Sequence, residues 1–416
     1  MSKLKVGVFG AGRGIDIAKN FMLQDCDIVA LCDFHEKRRK NGLRRLGADV
    51  VEYADFDSFI EHDMDAVILA NYFHEHAEYA VKCLERGIHV YSECLSNGTM
   101  AKGVALIRAA EKSKAIYMLG ENYPQMLINR EIQRVCQGGT LGKIIYAEGE
   151  YNHPINPLDY KFIQAFKYFE KHWRNYLPAT YYITHSLGPV MKATGATPKK
   201  VTSFTSFVSN SISAPTASNS AGDRSSMILT QNDDGSVFRV VGRGGFGSHH
   251  NSYRVCGTDG QIENVRGMGN KVMLRYNGWT KPEGFEENNL YEPTWNDKDE
   301  ELIIKSGHGG SDFLTVRIFI DCVLNGKQPE HPFNVHSAVE MSSTAILAHR
   351  AVLNGGGTYD IPDFHLEECR KQYENDDASP FYGSDGSEPN IPCCSDPDYR
   401  PTEEQLKLYK ELISTF

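Results

Sequence analysis

The sequence holds ten cysteines but has no CxxC pair and no His/Cys spacing of a zinc site. That absence sets aside a zinc module and a disulfide framework. The adjacent Cys393 and Cys394 read as free thiols, and the expectation is a reducing cytoplasm. Long apolar runs are missing as well: none approaches the roughly 18 residues of a membrane span. The opening Met1, Ser2, Lys3, Leu4 and Lys5 run straight into a first strand, so no signal peptide is expected. An excess of positive charge is also lacking. Lys+Arg number 44 against 54 Asp+Glu, a net charge of -10, so the molecule as a whole repels nucleic acid and anionic membrane. No nucleic-acid motif and no internal repeat is visible, and no metal is expected. What is present is the composition of a globular protein, 41% hydrophobic and 24% charged, over 416 residues, which is enough for two domains.

The chain is organised around Gly7-Val8-Phe9-Gly10-Ala11-Gly12-Arg13-Gly14. An apolar run from Lys3 to Phe9 reads as a strand before it, and Ile15 to Leu23 as a helix after it. Glycines there let the backbone turn tightly and approach a pyrophosphate, while N–H groups of the helix start face the anion. A second apolar strand, Ile28 to Cys32, ends in Asp33, where a dinucleotide-binding unit places the acid that holds the adenosine ribose. A carboxylate there accepts from both ribose hydroxyls and would repel a 2′-phosphate, which favours NAD. The nearby Lys37, Arg38 and Arg39 keep NADP open. The third glycine is Gly14, with Ile at position 15. Cofactor contacts are assigned to Gly10, Gly12, Arg13, Gly14 and Asp33, and further along to Asn71, His76, Glu93 and Asn122.

Ala66 to Ala70, Ile88 to Ser92 and Ile116 to Leu119 read as further strands, alternating with helices at Ala77 to Glu85 and Gly103 to Ser113. This alternation predicts a doubly wound parallel sheet. Met126 to Gln137 reads as a helix, and from Gly142 the pattern changes. Ile144 to Tyr151 alternates in strand fashion. Met227 to Thr230 and Ser236 to Gly242 flank a turn at Asn232 to Gly235. The expectation is therefore an α/β Rossmann domain followed by an α+β domain with a largely antiparallel open sheet. Asn210 to Gly222 reads as a flexible loop. Asp312 to Leu324 and Ala338 to Leu353 read as helices. Thr402 and Gln405 form a capping box for a last helix, whose stripe of Leu406, Tyr409, Leu412 and Ile413 should dock on the body. The expected divisions are 1–122 for the NAD-binding domain, 123–365 for a substrate and oligomerisation domain, and 366–416 for the tail.

Three stretches carry polar groups that a simple core does not need. They are Ser92-Glu93-Cys94-Leu95 at a strand end, Glu121-Asn122-Tyr123 at the next with Tyr151 beyond it, and Tyr181-Tyr182-Ile183-Thr184-His185-Ser186-Leu187-Gly188-Pro189. On a helix Tyr182 and His185 stand at i and i+3 on one face. Spacing alone leaves two readings, a proton-handling pair or a satisfied polar contact.

The order of parts resembles the Gfo/Idh/MocA oxidoreductases. The resemblance rests on the glycine turn, on His76-Ala77-Glu78-Tyr79-Ala80-Val81-Lys82-Cys83-Leu84-Glu85-Arg86-Gly87-Ile88-His89-Val90-Tyr91-Ser92-Glu93, and on Leu141-Gly142-Lys143-Ile144. It covers roughly residues 4 to 365. That family carries a Glu-Lys-Pro triplet whose lysine assists oxidation of a sugar hydroxyl. Here the triplet is Glu93-Cys94-Leu95, and the missing lysine argues against simple dehydrogenase chemistry. The chain looks most like the NAD-dependent glycosidase branch, glycoside hydrolase family 109 and its relatives. The likeness lies in Glu121-Asn122, in Tyr151, in Tyr182-Ile183-Thr184-His185-Ser186-Leu187-Gly188-Pro189, in Gly307-His308-Gly309-Gly310-Ser311-Asp312-Phe313 and in Ile361-Pro362-Asp363-Phe364. Ser92 to Leu95 departs from the branch's Glu-Val-Pro, and 151 to 181 is shorter than its counterpart.

The resemblance implies bound NAD and a redox-neutral glycosidase: oxidation at C3, elimination across C1 and C2, water addition, re-reduction. It implies His185 as base at the C3 hydroxyl and Tyr151 as base at C2, whose ordinary pKa near 10 would need lowering. Tyr182 and Glu121 would orient the sugar or leaving group. Arg174 and His308 would bind substrate hydroxyls or an anionic group, or else form a surface salt bridge or cap. Lys192, Lys199 and Lys200 read as solvated. A small carbohydrate or glycoside is the expected partner, and a homo-oligomer is expected through the open face of the second sheet. The competing expectations are an NAD-dependent sugar or glycoside 3-dehydrogenase and a non-catalytic NAD-binding sensor.

Overall fold

The computed structural model describes residues 3–154, 171–208, 216–383 and 385–414. Its first sheet holds β1 (Lys5–Phe9), β2 (Asp27–Cys32), β3 (Val51–Tyr53), β4 (Ala66–Leu69), β5 (His89–Ser92) and β6 (Tyr117–Leu119). Their order is β3-β2-β1-β4-β5-β6, and every pairing is parallel. This is the doubly wound Rossmann arrangement. Val6, Val8, Ala66, Val67, Ile68, Leu69 and Val90 have no exposed surface. Strands covered on both faces are apolar throughout, which is why they read as runs in the sequence. The strand order reverses between β1 and β4, and the crevice opens beyond their carboxyl ends. Gly10 sits there at φ 108, and a methyl on it would lie 2.2 Å from the Ala70 carbonyl oxygen. Only glycine serves at that turn.

The second sheet holds nine strands: β7 (Ile144–Asn152), β8 (Pro198–Phe207), β9 (Asp223–Asn232), β10 (Val237–Gly244), β11 (His250–Gly257), β12 (Gly260–Asn264), β13 (Val272–Tyr276), β14 (Asn288–Tyr291) and β15 (Tyr359–Asp360). Their order is β14-β13-β12-β11-β7-β10-β9-β8-β15. The sheet is largely antiparallel, as expected, with β7 and β10 running parallel at its centre. The chain leaves β7 at one end of the sheet and re-enters from the other side through the helix Thr184–Thr194 and the β8–β9–β10 meander. The β9–β10 hairpin turns at Gly235, φ 85, as its sequence suggests.

The helix Thr184–Thr194 lies flat on this sheet. Gly149 of β7 permits the contact, since a methyl there would lie 2.0 Å from the Ser186 carbonyl oxygen. The helix Ser311–Asn325 packs on the first helix of the Rossmann unit, Arg13–Met22, through Phe319 and Phe21 at 5.8 Å. The long helix Val335–Leu353 is capped by Asn334, whose side chain accepts from Ser337 N. The last helix, Glu403–Ser414, is opened by the reciprocal bonds Thr402 N to Gln405 (2.9 Å) and Gln405 N to Thr402 (3.2 Å). Tyr409 on it is buried. Part of the loop expected at 210–222, and the Ile413 side chain, lie outside the described residues. Among the described residues no helix is long and apolar enough to cross a membrane.

Candidate active site

A cavity of about 790 Å³ runs from the carboxyl end of the Rossmann strands to the helix start at Thr184, lined at one end by Gly10, Gly12, Arg13 and Asp33 and at the other by Tyr151, Tyr182 and His185. At the first end Asp33 accepts from Ala11 N (2.8 Å) through one oxygen and from His35 N (2.8 Å) through the other. It therefore braces the glycine turn and keeps lone pairs for a diol. Lys37 and Arg38 line this end, whereas Arg39 is held by the Asp33 carbonyl (2.8 Å) and by Glu52. Asn71 and His76 line the middle. His76 Nδ1 bonds the carbonyls of Glu93 (2.8 Å) and Leu95 (2.9 Å), and burial holds its pKa below the ordinary value. His76 thus fixes the bend that carries Glu93 and Cys94.

Several sequence-assigned residues meet on one that was not assigned. Asp312 receives Arg13 through both terminal nitrogens (2.9 and 2.6 Å), Asn122 Nδ2 (2.7 Å) and His308 Nδ1 (3.0 Å). Burial pushes the Asp312 carboxyl up, but the hydrogen bonds from His308 and Arg13 outweigh it and hold the group far below the usual range. Arg13 Nε also bonds Glu93 (3.1 Å), so the guanidinium reaches the cavity wall already paired. The signal for Asp312 was its place four residues after His308, at the start of a helix.

At the inner end Glu121 has no exposed surface and sits behind His185, with His185 Nδ1 2.9 Å from each carboxylate oxygen. Glu121 also accepts from Tyr123 N (3.0 Å) and from the Cys94 thiol (3.1 Å). Burial raises its carboxyl pKa, yet the His185 pair, with the Thr184 side chain and Tyr123 N, brings it below the ordinary value. Glu121, expected to orient the sugar or the leaving group, has its oxygens toward His185, Tyr123 and Cys94 and does not itself line the cavity, so it reaches a substrate through His185. An ionised Glu121 makes Nδ1 the protonated nitrogen and leaves Nε2 for the cavity. Gly188 permits this placement, because a methyl there would lie 2.9 Å from Glu121 Cγ.

Tyr123 stacks on the imidazole of His185 (4.2 Å), and Tyr151 and Tyr182 stand 4.9 and 5.4 Å from it. Tyr182 is not on the helix face expected for it. The helix begins at Thr184 with Ile183 as its cap, so Tyr182 belongs to the preceding turn. The ring still reaches His185. The lowered phenol expected at Tyr151 is also corrected: burial among Tyr123, Tyr182 and His153 pushes it well up, and Arg174 is the neighbour acting the other way. Arg174 lines the cavity with its guanidinium over Trp173 at 4.4 Å. Lys192 is not solvated. Its side chain is 13% exposed, with Nζ 3.2 Å from the His331 carbonyl. Lys199 pairs with Glu340, while Lys200 is exposed. Cys94 Sγ, a Glu121 oxygen and a His185 nitrogen lie within 4.8 Å of one another, a spacing their hydrogen bonds account for.

The Gly10 turn, the free acceptors of Asp33 and the length of the cavity fit a dinucleotide, and the fold and site together define an enzyme of the NAD-dependent Gfo/Idh/MocA oxidoreductase type. Residues 4–121 match the family described as oxidoreductase family, NAD-binding Rossmann fold, and residues 247–371 match the glycosyl hydrolase 109 C-terminal domain. The chain is 23% identical over 403 residues to a glycosyl hydrolase family 109 protein of a Shewanella species, covering 88% of this chain and 85% of that one. It is 22% identical over 407 residues to one from Bacteroides thetaiotaomicron, with the same coverage of 88% and 85%. Among solved structures it superposes on levoglucosan dehydrogenase in complex with NADH and levoglucosan, with TM-score 0.72, 16% identity and 87% and 100% of the two chains covered. On aldose–aldose oxidoreductase from Caulobacter crescentus the TM-score is 0.67, at 18% identity and 86% and 100% coverage.

Proposed function

We propose that this protein hydrolyses a glycoside by transient oxidation at C3 of the sugar. The observation that carries the reading is the Glu121–His185 pair, set among Tyr123, Tyr151 and Tyr182 at the inner end of a cavity that begins at Asp33. NAD bound along the glycine turn supplies the place to which the C3 hydride goes and from which it returns. His185 takes the C3 hydroxyl proton through Nε2 while Glu121 stabilises the imidazolium that forms. The C3 ketone makes the C2 proton acidic. Tyr151 is assigned as the base that takes that proton as the bond from C1 to the leaving oxygen breaks. Burial raises its phenol, so it acts only after its own proton has passed to water in the cavity, a loss that the neighbouring Arg174 favours. Water then adds at C1, a proton returns to C2, and re-reduction restores the C3 hydroxyl. The sum is hydrolysis, without two carboxylates flanking the bond.

One further observation favours this assignment of the base. Among the described residues that line the cavity the only lysine is Lys37, at the adenosine end, and Cys94 stands where the family's lysine would. As part of the same reading, the outer face of the second sheet, where Phe204, Met227, Leu229 and Val237 are exposed, packs on a second copy.

The test is a set of α- and β-linked chromogenic glycosides in deuterated water with NAD, following aglycone release and NADH absorbance together. Release with deuterium at C2 and no build-up of NADH is the expected result. Stoichiometric NADH with the glycosidic bond intact would make the enzyme a glycoside 3-dehydrogenase. Silence with every sugar would leave the sensor reading.

A further inference from the structure

Arg224 and Arg243 of the second sheet lie near Arg174, which belongs to the turn Trp173–Tyr176 and lines the cavity. β10 has a bulge at Gly242 and Arg243: Val241 pairs with Glu150 and Gly244 with Asn152 on β7, so two residues oppose Tyr151 alone. On the other side the same two oppose Ser226 of β9. Ser226 Oγ bonds the Ala179 carbonyl (2.9 Å), and Gly242 lies against Ala179 and Thr180. This is therefore the sheet face that looks toward Tyr181 and Tyr182. Arg224 is the extra residue of a bulge in β9, between Asp223 opposite Phe207 and Ser225 opposite Ser206 of β8. Arg243 lies within electrostatic range of Arg224, Arg174 and Tyr182, and the last two line the cavity.

These guanidiniums have little to answer them. Among the described residues none of Arg174, Arg224 and Arg243 makes an ion pair, and Arg224 Nε is buried without a hydrogen-bond partner. Among the described residues Asp223 is the acid near Arg243, and its two oxygens also accept from Ser395 N (2.8 Å) and Ser395 Oγ. A guanidinium cannot shed its proton to escape burial beside like charge. Such a group is retained at a cost unless an anion completes it. The cofactor's pyrophosphate belongs at the Gly10–Gly14 turn, where Arg13 is the guanidinium that lines the cavity.

We infer that the substrate supplies this anion: the sugar carries an oxyanion, a carboxylate or a sulfate or phosphate ester, seated on Arg174 with Arg243 and Arg224 behind it. Carboxylates and phosphates take two parallel hydrogen bonds from a guanidinium, which makes such a cluster selective as well as attractive. The inference rests on the glycoside reading of the same cavity and narrows its substrate to acidic sugars.

The experiment compares 4-nitrophenyl glucosides and galactosides of both anomers with the matching uronides, 6-sulfates and 6-phosphates. The expected result is a KM for one acidic class at least about tenfold below that of its neutral parent. Arg243→Gln should raise that KM about tenfold more than it raises the neutral one. A neutral substrate preferred over all acidic forms, or a variant that shifts both alike, would overturn the inference. If nothing is hydrolysed, the glycosidase reading fails, and calorimetry of glucuronate, galacturonate, glucose 6-sulfate and glucose 6-phosphate against the NAD-loaded protein decides the anion site separately. Saturable binding that is displaced by inorganic sulfate and weakened in Arg243→Gln supports it. No binding of any of the four, or binding indifferent to sulfate, refutes it. Competition by sulfate on the parent protein keeps the test valid should the variant fold poorly.

Discussion

Glu121 decides what His185 can do. With both carboxylate oxygens 2.9 Å from Nδ1, the imidazole has one tautomer and one orientation, and its free nitrogen faces the cavity. Glu121→Gln keeps the shape but replaces the acceptor that stabilises an imidazolium. Turnover is expected to fall by roughly 10² to 10⁴, with NAD binding unchanged. Steady-state rates beside an NAD titration check this, and a variant at full rate would remove the pair from the mechanism. Asp312→Asn tests the other polar knot. It should weaken NAD binding, because Arg13, Asn122 and His308 all lose the anion that aims them. A cofactor titration showing parent affinity would count against that role. Much of this site was legible in the residues: glycine turn, Asp33, Tyr151, Tyr182 and His185 line one cavity. What was hidden is which polar groups bond each other. Nothing in linear spacing ties Cys94 to Glu121 or Asn122 to Asp312, since those bonds join elements distant in the chain. The direction of the Tyr151 shift was hidden for the same reason, as it follows from ring packing rather than from neighbours in sequence.

Helices and strands impose constraints of their own. Gly188 lies inside the helix Thr184–Thr194 because Glu121 Cγ occupies the place of its methyl. Gly188→Ala should therefore displace Glu121, lowering turnover at least about tenfold while the helix itself gains propensity. Kinetics paired with circular dichroism separates the two effects. The long helix Val335–Leu353 carries Glu340, 5% exposed, with Lys199 Nζ at 3.5 Å. Burial pushes this carboxyl from 4.5 up to about 7, against the pull of Lys199. The folded protein then holds a proton that the unfolded chain releases. Stability from this group is full below pH 4.5 and is lost as pH rises toward about 7. Glu340→Gln should remove that slope, worth roughly 1 kcal/mol per pH unit. Urea unfolding of variant and parent at about pH 5 and about pH 8 reads the difference, and it separates Glu340 from Glu75, which burial pushes up to about 7 as well. An equal slope in both proteins would show Glu340 ionised in the folded state. Periodicity announced these elements well, from the parallel strands to the capped last helix. It did not announce the parallel β7–β10 pair. Alternation reveals that a segment is a strand with one buried face, not which strand lies beside it.

Across the whole molecule the tail from 366 onward ties the Rossmann half to the second sheet. Asp376 takes Arg350 through two bonds of 2.7 Å and offers its carbonyl to Ala101 N (3.0 Å). The Pro392 carbonyl accepts from His349 (2.7 Å), and Ser395 reaches Asp223 on β9. Phe381 sits at the centre, 2% exposed, with Phe73 of the Rossmann half at 5.2 Å and Tyr181 of the second half at 5.5 Å. Both of those rings line the cavity. Removing the Phe381 ring therefore leaves a void shared by the two halves and by the ligand site. Phe381→Ala is expected to lower the unfolding free energy by about 3 to 5 kcal/mol and to weaken NAD binding together with it. Because NAD binds the folded form, adding it at about 100 times its Kd should return about 2.7 kcal/mol to variant and parent alike. Denaturant titrations with and without NAD give both quantities. If the variant lost stability while its NAD affinity held, Phe381 would be a packing residue of the tail alone, and the cavity would owe its shape to the two halves without the strap between them.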